Sequence, residues 1–335
     1  MSEMILLRAH ALALYEEMAR DDKIICVGED IGPYGGIWKT FSGLQQMYGD
    51  GQTTIGGRVL QMPMEEAGYS LFACGAAMMG YRPVVEIMYA DFSTLAFEAI
   101  VDVAAKFRYN AQGKNSLPIT FILPQGVGAG SGAHHSQSVE SWYANVPGLK
   151  IVAPSTPSDV RAFLRASIRD DDPVLFIWHR GLMMGKEDVP DTLAPEDVPA
   201  LTNAAKIVKE GNDLTVVAYQ RSLAVAQVAA QEVEAETGKT IEIIDPRVLI
   251  PFDKEAMFKS LRKTGRLLVS HDAPERGGFG SQIITWAVEE LGTELKNNPV
   301  SVCGKNIVIP FNKLEDYVVP NKDELKAGMK KALGL

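Results

Sequence analysis

Two adjacent carboxylates, Glu65 and Glu66, open the segment MPMEEAGYSLFACGAAMMGYRP (62–83). The helix that follows carries Gly68, Ala73, Cys74, Gly75, Ala76 and Ala77, so its buried face is nearly all small and a second helix or a ligand can approach the backbone closely. Acids in a first helical turn ordinarily compensate the helix dipole at a surface. Held at a small-residue, largely buried helix start, a carboxyl instead has a raised pKa and can donate or relay a proton. Phe92 and Phe97 follow in IMYADFSTLAFEAIVDVAAKF; aromatics there are core by default, but a flat ring near a buried acid also suits a stacked heterocycle.

A second chemical candidate is the glycine-interleaved loop LPQGVGAGSGAHHSQSVE, because so much glycine costs chain entropy that plain connection does not repay. It carries His134 and His135, two of only five histidines. Neighbouring histidines without further spaced ligands make a weak metal site, and the glycines do not fit a dinucleotide fingerprint between strand and helix. In SIRDDDPVLFIW (167–178), Asp170, Asp171 and Asp172 stand just before an apolar run. Three acids in a turn are usually solvated; with backbone carbonyls they also make an oxygen-rich pocket for a hard cation.

The elements that must position these groups alternate between strand and helix. Apolar residues recur at helical spacing from Leu6 to Arg20, and KIICVGED then reads as a strand running into a functional loop. Further buried strands are expected at 83–88, 118–123, 149–154 and 173–178, each separated by enough chain for a helix. That alternation predicts a parallel sheet covered on both faces. The Pro-, Asp- and Glu-rich stretch between Gly185 and Ala204 reads as a linker. Beyond it strands are expected at 214–219, 240–245 and 266–271, with helices near 222–236, near 253–263 and after GGFG. The expected fold class is α/β, with domains at 1–185 and 206–335 joined by a linker at 186–205.

A chain of 335 residues exceeds one ordinary core, and 46% hydrophobic with 22% charged residues is the composition of a globular protein. A net charge of -9 argues against nucleic acid and anionic membrane as partners. The opening apolar stretch is interrupted by Arg8 and His10, unlike a signal peptide, and no uncharged run is long enough to span a bilayer. Three distant cysteines, Cys26, Cys74 and Cys303, indicate neither disulfides nor zinc and fit a reducing, cytoplasmic setting. GDG at Gly49–Gly51 looks like the opening of the motif that binds magnesium and diphosphate in thiamine enzymes. That motif closes on Asn-Asn, and the only such pair here, Asn297–Asn298, lies in the other expected domain, so the match is chance.

Taken in order, VGEDIGPYGG, RVLQMPMEEAGY, GYRPVVEIMYADF, AHHSQSVESWYANVPGLKIVAPSTPSD, IRDDDPV, IIDPRVLIPFD and HDAPERGGFGSQI resemble the beta subunits of the pyruvate, branched-chain 2-oxo acid and acetoin dehydrogenase decarboxylases. HSQS followed by PGLKIVAPSTP is the most specific element. The resemblance implies a pyrimidine-binding domain followed by a transketolase C-terminal-like domain, and thiamine diphosphate whose magnesium and diphosphate are held mainly by an alpha chain. It implies an assembly of two alpha and two beta chains, active only together, and a lipoyl-bearing acyltransferase that accepts the acyl group. It also assigns residues. Glu66 matches the glutamate at the pyrimidine nitrogen, Phe92 the aromatic that packs on the pyrimidine, and His135 the histidine near substrate and lipoyl arm. A potassium site in the same family matches Ile119, Ser167, Ile168, Asp170 and Asp172. MPMEE stands where TPISE is commoner, and His134 where many members have Gln or Tyr. These departures bear on which substrate is used, with pyruvate the default and a branched-chain 2-oxo acid or acetoin the alternatives.

Overall fold

The structure, a computed structural model, describes residues 1–50, 57–194 and 196–335. Gly51, the last residue of the GDG triplet, lies outside the described residues. Two compact units emerge, the first comprising Met1–Gln125, Tyr143–Trp178 and Leu182–Leu201, the second Gly126–Trp142, His179–Gly181 and Thr202–Leu335.

The strands of the first unit are β1 (Ser2–Ile5), β2 (Ile24–Gly28), β3 (Val59–Gln61), β4 (Arg82–Glu86), β5 (Thr120–Gln125), β6 (Lys150–Val152), β7 (Val174–His179) and β8 (Lys186–Val189). Within the main sheet the order is β6-β7-β5-β4-β2-β3. The registered pairs are parallel, for example Gly28 opposite Glu86. Strands β2, β5 and β7 are buried along their whole length, as an apolar run covered on both faces must be. Helix α1 (Leu6–Arg20) turns Leu6, Ala9, His10, Ala13, Leu14, Glu17 and Met18 inward at helical spacing. Its Glu17 accepts from Arg165 at 3.2 Å and from Arg169 at 2.8 Å, both on the helix Pro157–Arg169, so the two helices share a buried ion cluster. Strand β8 lies in the acid-rich stretch read as linker, and pairs antiparallel with β1 from Ser2 opposite Val189 to Ile5 opposite Lys186.

The second unit holds β9 (Lys206–Lys209), β10 (Leu214–Ala218), β11 (Ile241–Asp245), β12 (Val248–Ile250), β13 (Leu267–Pro274) and β14 (Val300–Gly304). Five of these form a sheet in the order β14-β13-β10-β11-β9, parallel except for the edge strand β9. The helices Arg221–Thr237 and Lys322–Leu333 pack Leu223, Ala226, Ala230, Leu325 and Met329 against Val216, Ile243 and Leu268 of that sheet. Asn321 and Glu324 close a capping box at the start of the last helix, which fixes where it begins.

Candidate active site

In the first unit the carboxyl ends of adjacent parallel strands deliver two acids to one place. Glu29 follows the last residue of β2, and Glu86 is the last residue of β4. The helix Glu66–Met78 starts there as well. Its N-cap is Glu65, exposed, with the side chain accepting from the Gly68 N–H, whereas Glu66 is buried at 7% exposure. The two neighbours thus have different work: Glu65 holds the helix end, and Glu66 points inward.

Burial, then the charges of Glu66 and Asp30, push the Glu29 carboxyl up to about 7. Burial likewise pushes Glu86 up to about 8, although the Thr40 hydroxyl donates to it at 3.0 Å and works the other way. Tyr69 is also raised, first by burial and then by these same acids, and its hydroxyl donates to the Glu86 carbonyl at 3.4 Å. Near neutral pH Glu29 and Glu86 therefore retain protons that isolated carboxyls would have lost. Glu29 Oε1 and Glu86 Oε2 are buried without a hydrogen-bond partner among the described residues. Such orphaned oxygens suit a ligand edge bearing nitrogen donors and acceptors, which an aminopyrimidine has.

Phe92 sits half-buried in the turn Ala90–Thr94. Its ring meets Tyr89 edge-on at 5.5 Å, Tyr89 meets Trp38 at 5.5 Å, and Trp38 meets Trp178 at 5.9 Å. The indole of Trp38 donates to the Met88 carbonyl at 2.8 Å, which fixes that wall. Reading the sequence missed Glu29, Glu86, Tyr89 and Trp38. The available signal was an acid at the C-terminal end of each of two apolar strands, where ligands collect in parallel sheets.

The histidine loop belongs to the second unit. His134 is exposed and His135 half-buried, with the His135 N–H donating to the Gly132 carbonyl at 3.2 Å. The loop's amides do not face an open anion site. Those of Gly128, Gly130 and Gly132 each donate to the Glu315 carboxylate at 3.0 Å. Ser136 Oγ donates to the same carboxylate at 2.5 Å and accepts from Arg180 at 3.1 Å. Next to the loop, His179 Nε2 stands 3.1 Å from Asp272, whose other oxygen accepts from Ser222 at 2.7 Å. Burial works against the Asp272 charge, but His179, Arg221 and Ser222 hold the carboxyl below its usual range. Gly126 must lack a side chain, since a Cβ there would lie 2.0 Å from His179 Nε2. A cavity of about 360 Å³ opens beside the loop, lined by Ser136, Gln137 and Asp272 together with Ile307, Ile309 and Val318.

The residues matched to a potassium site gather at the corner between the helix Pro157–Arg169 and β7, and their oxygens already have partners. Ile119 O accepts from Val174 at 3.0 Å and Ile168 O from Arg82 at 2.9 Å. Asp170 accepts from Lys150 at 2.6 and 2.7 Å, Asp172 from Arg108, and Ser167 Oγ donates to Phe163 O at 2.7 Å. Among the described residues, no group of three or more His, Cys, Asp or Glu side chains is placed to hold a metal ion. Nor is any helix among them long and apolar enough to cross a membrane.

Comparison with known proteins first defines the class. Residues 3–186 match the transketolase pyrimidine binding domain, and residues 203–325 the transketolase C-terminal domain. A solved structure titled a split gene transketolase, inactive beta4 tetramer, superposes with a TM-score of 0.75 at 24% identity, over 99% of both chains, and shares the fold. At the level of sequence, the chain is 37% identical over 331 residues to a mitochondrial pyruvate dehydrogenase E1 component subunit beta-2 of Oryza sativa subsp. japonica, covering 98% of this chain and 86% of that one. It is 36% identical over 333 residues to the 2-oxoisovalerate dehydrogenase subunit beta of Bacillus subtilis (strain 168), covering 98% of each. The chain belongs to the family of E1 beta subunits of the pyruvate and branched-chain 2-oxo acid dehydrogenases.

Proposed function

We propose that this chain is the beta half of a thiamine-diphosphate-dependent 2-oxo acid dehydrogenase decarboxylase, working with an alpha chain in an assembly of two alpha and two beta subunits. The observation that carries the reading is the buried Glu29–Glu66–Glu86 group, in which Glu29 and Glu86 retain protons and carry orphaned oxygens. When bound, the cofactor supplies a carbon nucleophile for the 2-oxo carbon and a sink for the electron pair that carbon dioxide leaves behind. Glu66 holds a proton at the pyrimidine ring nitrogen, and Glu29, its own carboxyl raised by burial and by Glu66, exchanges that proton with it. Phe92 offers an apolar face to the pyrimidine. His135 supplies a proton to the substrate oxygen or to the sulfur of a lipoyl group on a partner acyltransferase.

Magnesium and diphosphate fall to the alpha chain. The only Asn-Asn pair of this sequence is in the second unit, where Asn297 donates to the Ala332 carbonyl at 2.8 Å. Calorimetry tests this directly: the purified chain alone binds thiamine diphosphate weakly and the co-purified pair binds it tightly, whereas full-strength binding by the single chain overturns the division of labour. Pyruvate is our first choice of substrate, with 2-oxoisovalerate and acetoin to be assayed on the same preparation, since MPMEE and His134 depart from the commoner family residues. A monovalent cation at the Asp170 corner must share oxygens with Lys150, and melting in potassium against tetramethylammonium chloride tests whether it does. Three free thiols, Cys26 and Cys74 buried and Cys303 half-buried, support a reducing compartment such as the cytoplasm.

A further inference from the structure

A carboxylate buried in a loop of glycines stands out among groups for which the reaction above has no use. Glu315 is 2% exposed and lies in the turn Asn312–Tyr317. It accepts four hydrogen bonds, from Gly128, Gly130 and Gly132 N–H at 3.0 Å and from Ser136 Oγ at 2.5 Å. Burial opposes its charge, but Ser136 and the three amides more than offset this and hold the carboxyl below its usual range. The contact continues along the chain: Asn312 N–H donates to the Gly130 carbonyl at 3.0 Å, and a Cβ at Gly132 (φ +75°) would meet the Phe311 ring at 2.6 Å. Arg180 grips the other side, donating to the Gly126 carbonyl at 2.6 Å and to Ser136 Oγ at 3.1 Å.

A loop with glycine at 126, 128, 130 and 132 has many conformations to lose, and short-range contacts alone do not select one. Charge-assisted hydrogen bonds from alternate amides to one anion do. We propose that Glu315 is a positioning residue: its carboxylate sets the backbone of residues 128–136 and so presents His134 and His135 in a fixed place. The catalytic half of this proposal rests on the role given to His135 above; the structural half does not.

The test uses the assembled alpha–beta complex carrying Glu315→Gln, which keeps the shape but turns an amide NH2 toward N–H donors, and Glu315→Asp, which keeps the charge one methylene short. Amide exchange of residues 126–136 is followed by mass spectrometry, with 214–218 of the sheet as internal control. In Glu315→Gln the loop exchanges on the order of ten- to a hundredfold faster while the control is unchanged, the factor expected for losing hydrogen bonds to a charged group. Loop protection, corrected for intrinsic rates, disappears in acid for the wild type and is flat with pH for Glu315→Gln. Turnover falls by on the order of 10²-fold, the usual cost of misplacing a reacting group, with KM little changed and part of the loss recovered in Glu315→Asp. Should Glu315→Gln not assemble, Ser136→Ala, which removes one of the four donors, gives a smaller loosening confined to the same loop.

Unchanged loop exchange overturns the proposal, and a loosened loop with wild-type turnover overturns its catalytic half. A wild-type complex that turns over neither 2-oxo acids nor acetoin overturns the reaction assigned above and the catalytic half with it, while the exchange comparison still decides the structural half.

Discussion

The carboxyl of Glu66 stands close enough to that of Glu29 to raise it, although one follows a strand and the other starts a helix 37 positions later in the chain. Glu86, at the end of the neighbouring strand, adds a third buried carboxyl.

Stability should respond to pH in a way that betrays this group. In the unfolded chain the carboxyls lose their protons near 4.5, whereas in the fold Glu29 does so near 7 and Glu86 near 8. Between those values the native state binds more protons than the unfolded one, so stability falls as pH rises through the window and levels off above it. Urea midpoints of the isolated chain should therefore decline from pH 5 to pH 8, and the decline should be shallower in Glu86→Gln. A steeper decline in the variant would contradict the assignment.

Glu65 and Glu66 separate by role in a second experiment. Glu66→Gln keeps the shape but cannot shuttle a proton, so in the assembled enzyme exchange of the cofactor's C2 proton slows by on the order of 10²–10⁴-fold. Glu65→Gln retains an oxygen that can accept from Gly68, so it affects the rate far less and mainly lowers the melting midpoint. Equal effects on C2 exchange would remove Glu66 from the relay.

A third prediction concerns the ion cluster under α1. Glu17, with its side chain fully buried, accepts from Arg20 at 2.7 Å, Arg165 at 3.2 Å and Arg169 at 2.8 Å. Glu17→Ala takes this carboxylate from the buried Arg165 guanidinium and from the partly exposed Arg20 and Arg169, and should cost about 3–5 kcal/mol. Burial opposes the Glu17 charge, yet the arginine hydrogen bonds hold its carboxyl below the usual value. Its contribution is present above about pH 4.5 and lost as pH falls through the depressed value, so the acid limb of the stability curve should flatten in the variant. An unchanged urea midpoint at neutral pH would show that the cluster contributes nothing net.

What could be read in the sequence was what local pattern encodes. Leu6–Arg20 is a helix with the expected bounds because its apolar spacing continues unbroken, and KIICVGED holds β2 because β-branched residues run into glycine and acids. The pair β1 and β8 escaped notice, being four residues each, half of them exposed, and joined across the whole first unit. Glu29 falls in the loop after an expected strand and Glu86 inside another, and neither position alone marks a site; the pairing of β2 with β4 is what sets them side by side. Glu315 was invisible for the same reason on a larger scale, since 187 positions separate it from the Gly128 amide it accepts from. Sequence spacing shows which residues share a face of one element; it does not show which element ends meet.

The last prediction tests where the alpha chain sits. On the helix Glu66–Met78, Ala73 and Ala77 face the core, while Gly75 and Ala76 line a depression of about 790 Å³ with Leu60, Phe72, Met79 and Tyr81. Phe72 is 48% exposed, Met79 80% and Tyr81 47%, so apolar surface surrounds a floor without bulky side chains. Apolar surface gathered around a depression marks an interaction site more often than a solvated face. Ala76→Leu would fill that floor from the solvent side. In the isolated chain the change should stay within about ±0.5 kcal/mol, as surface substitutions away from special features do. In the presence of the alpha chain it should block close approach of the partner, and sedimentation should show the variant chain left largely unassembled at concentrations where the wild type is fully in complex. Co-assembly equal to wild type would place the alpha chain on a different face.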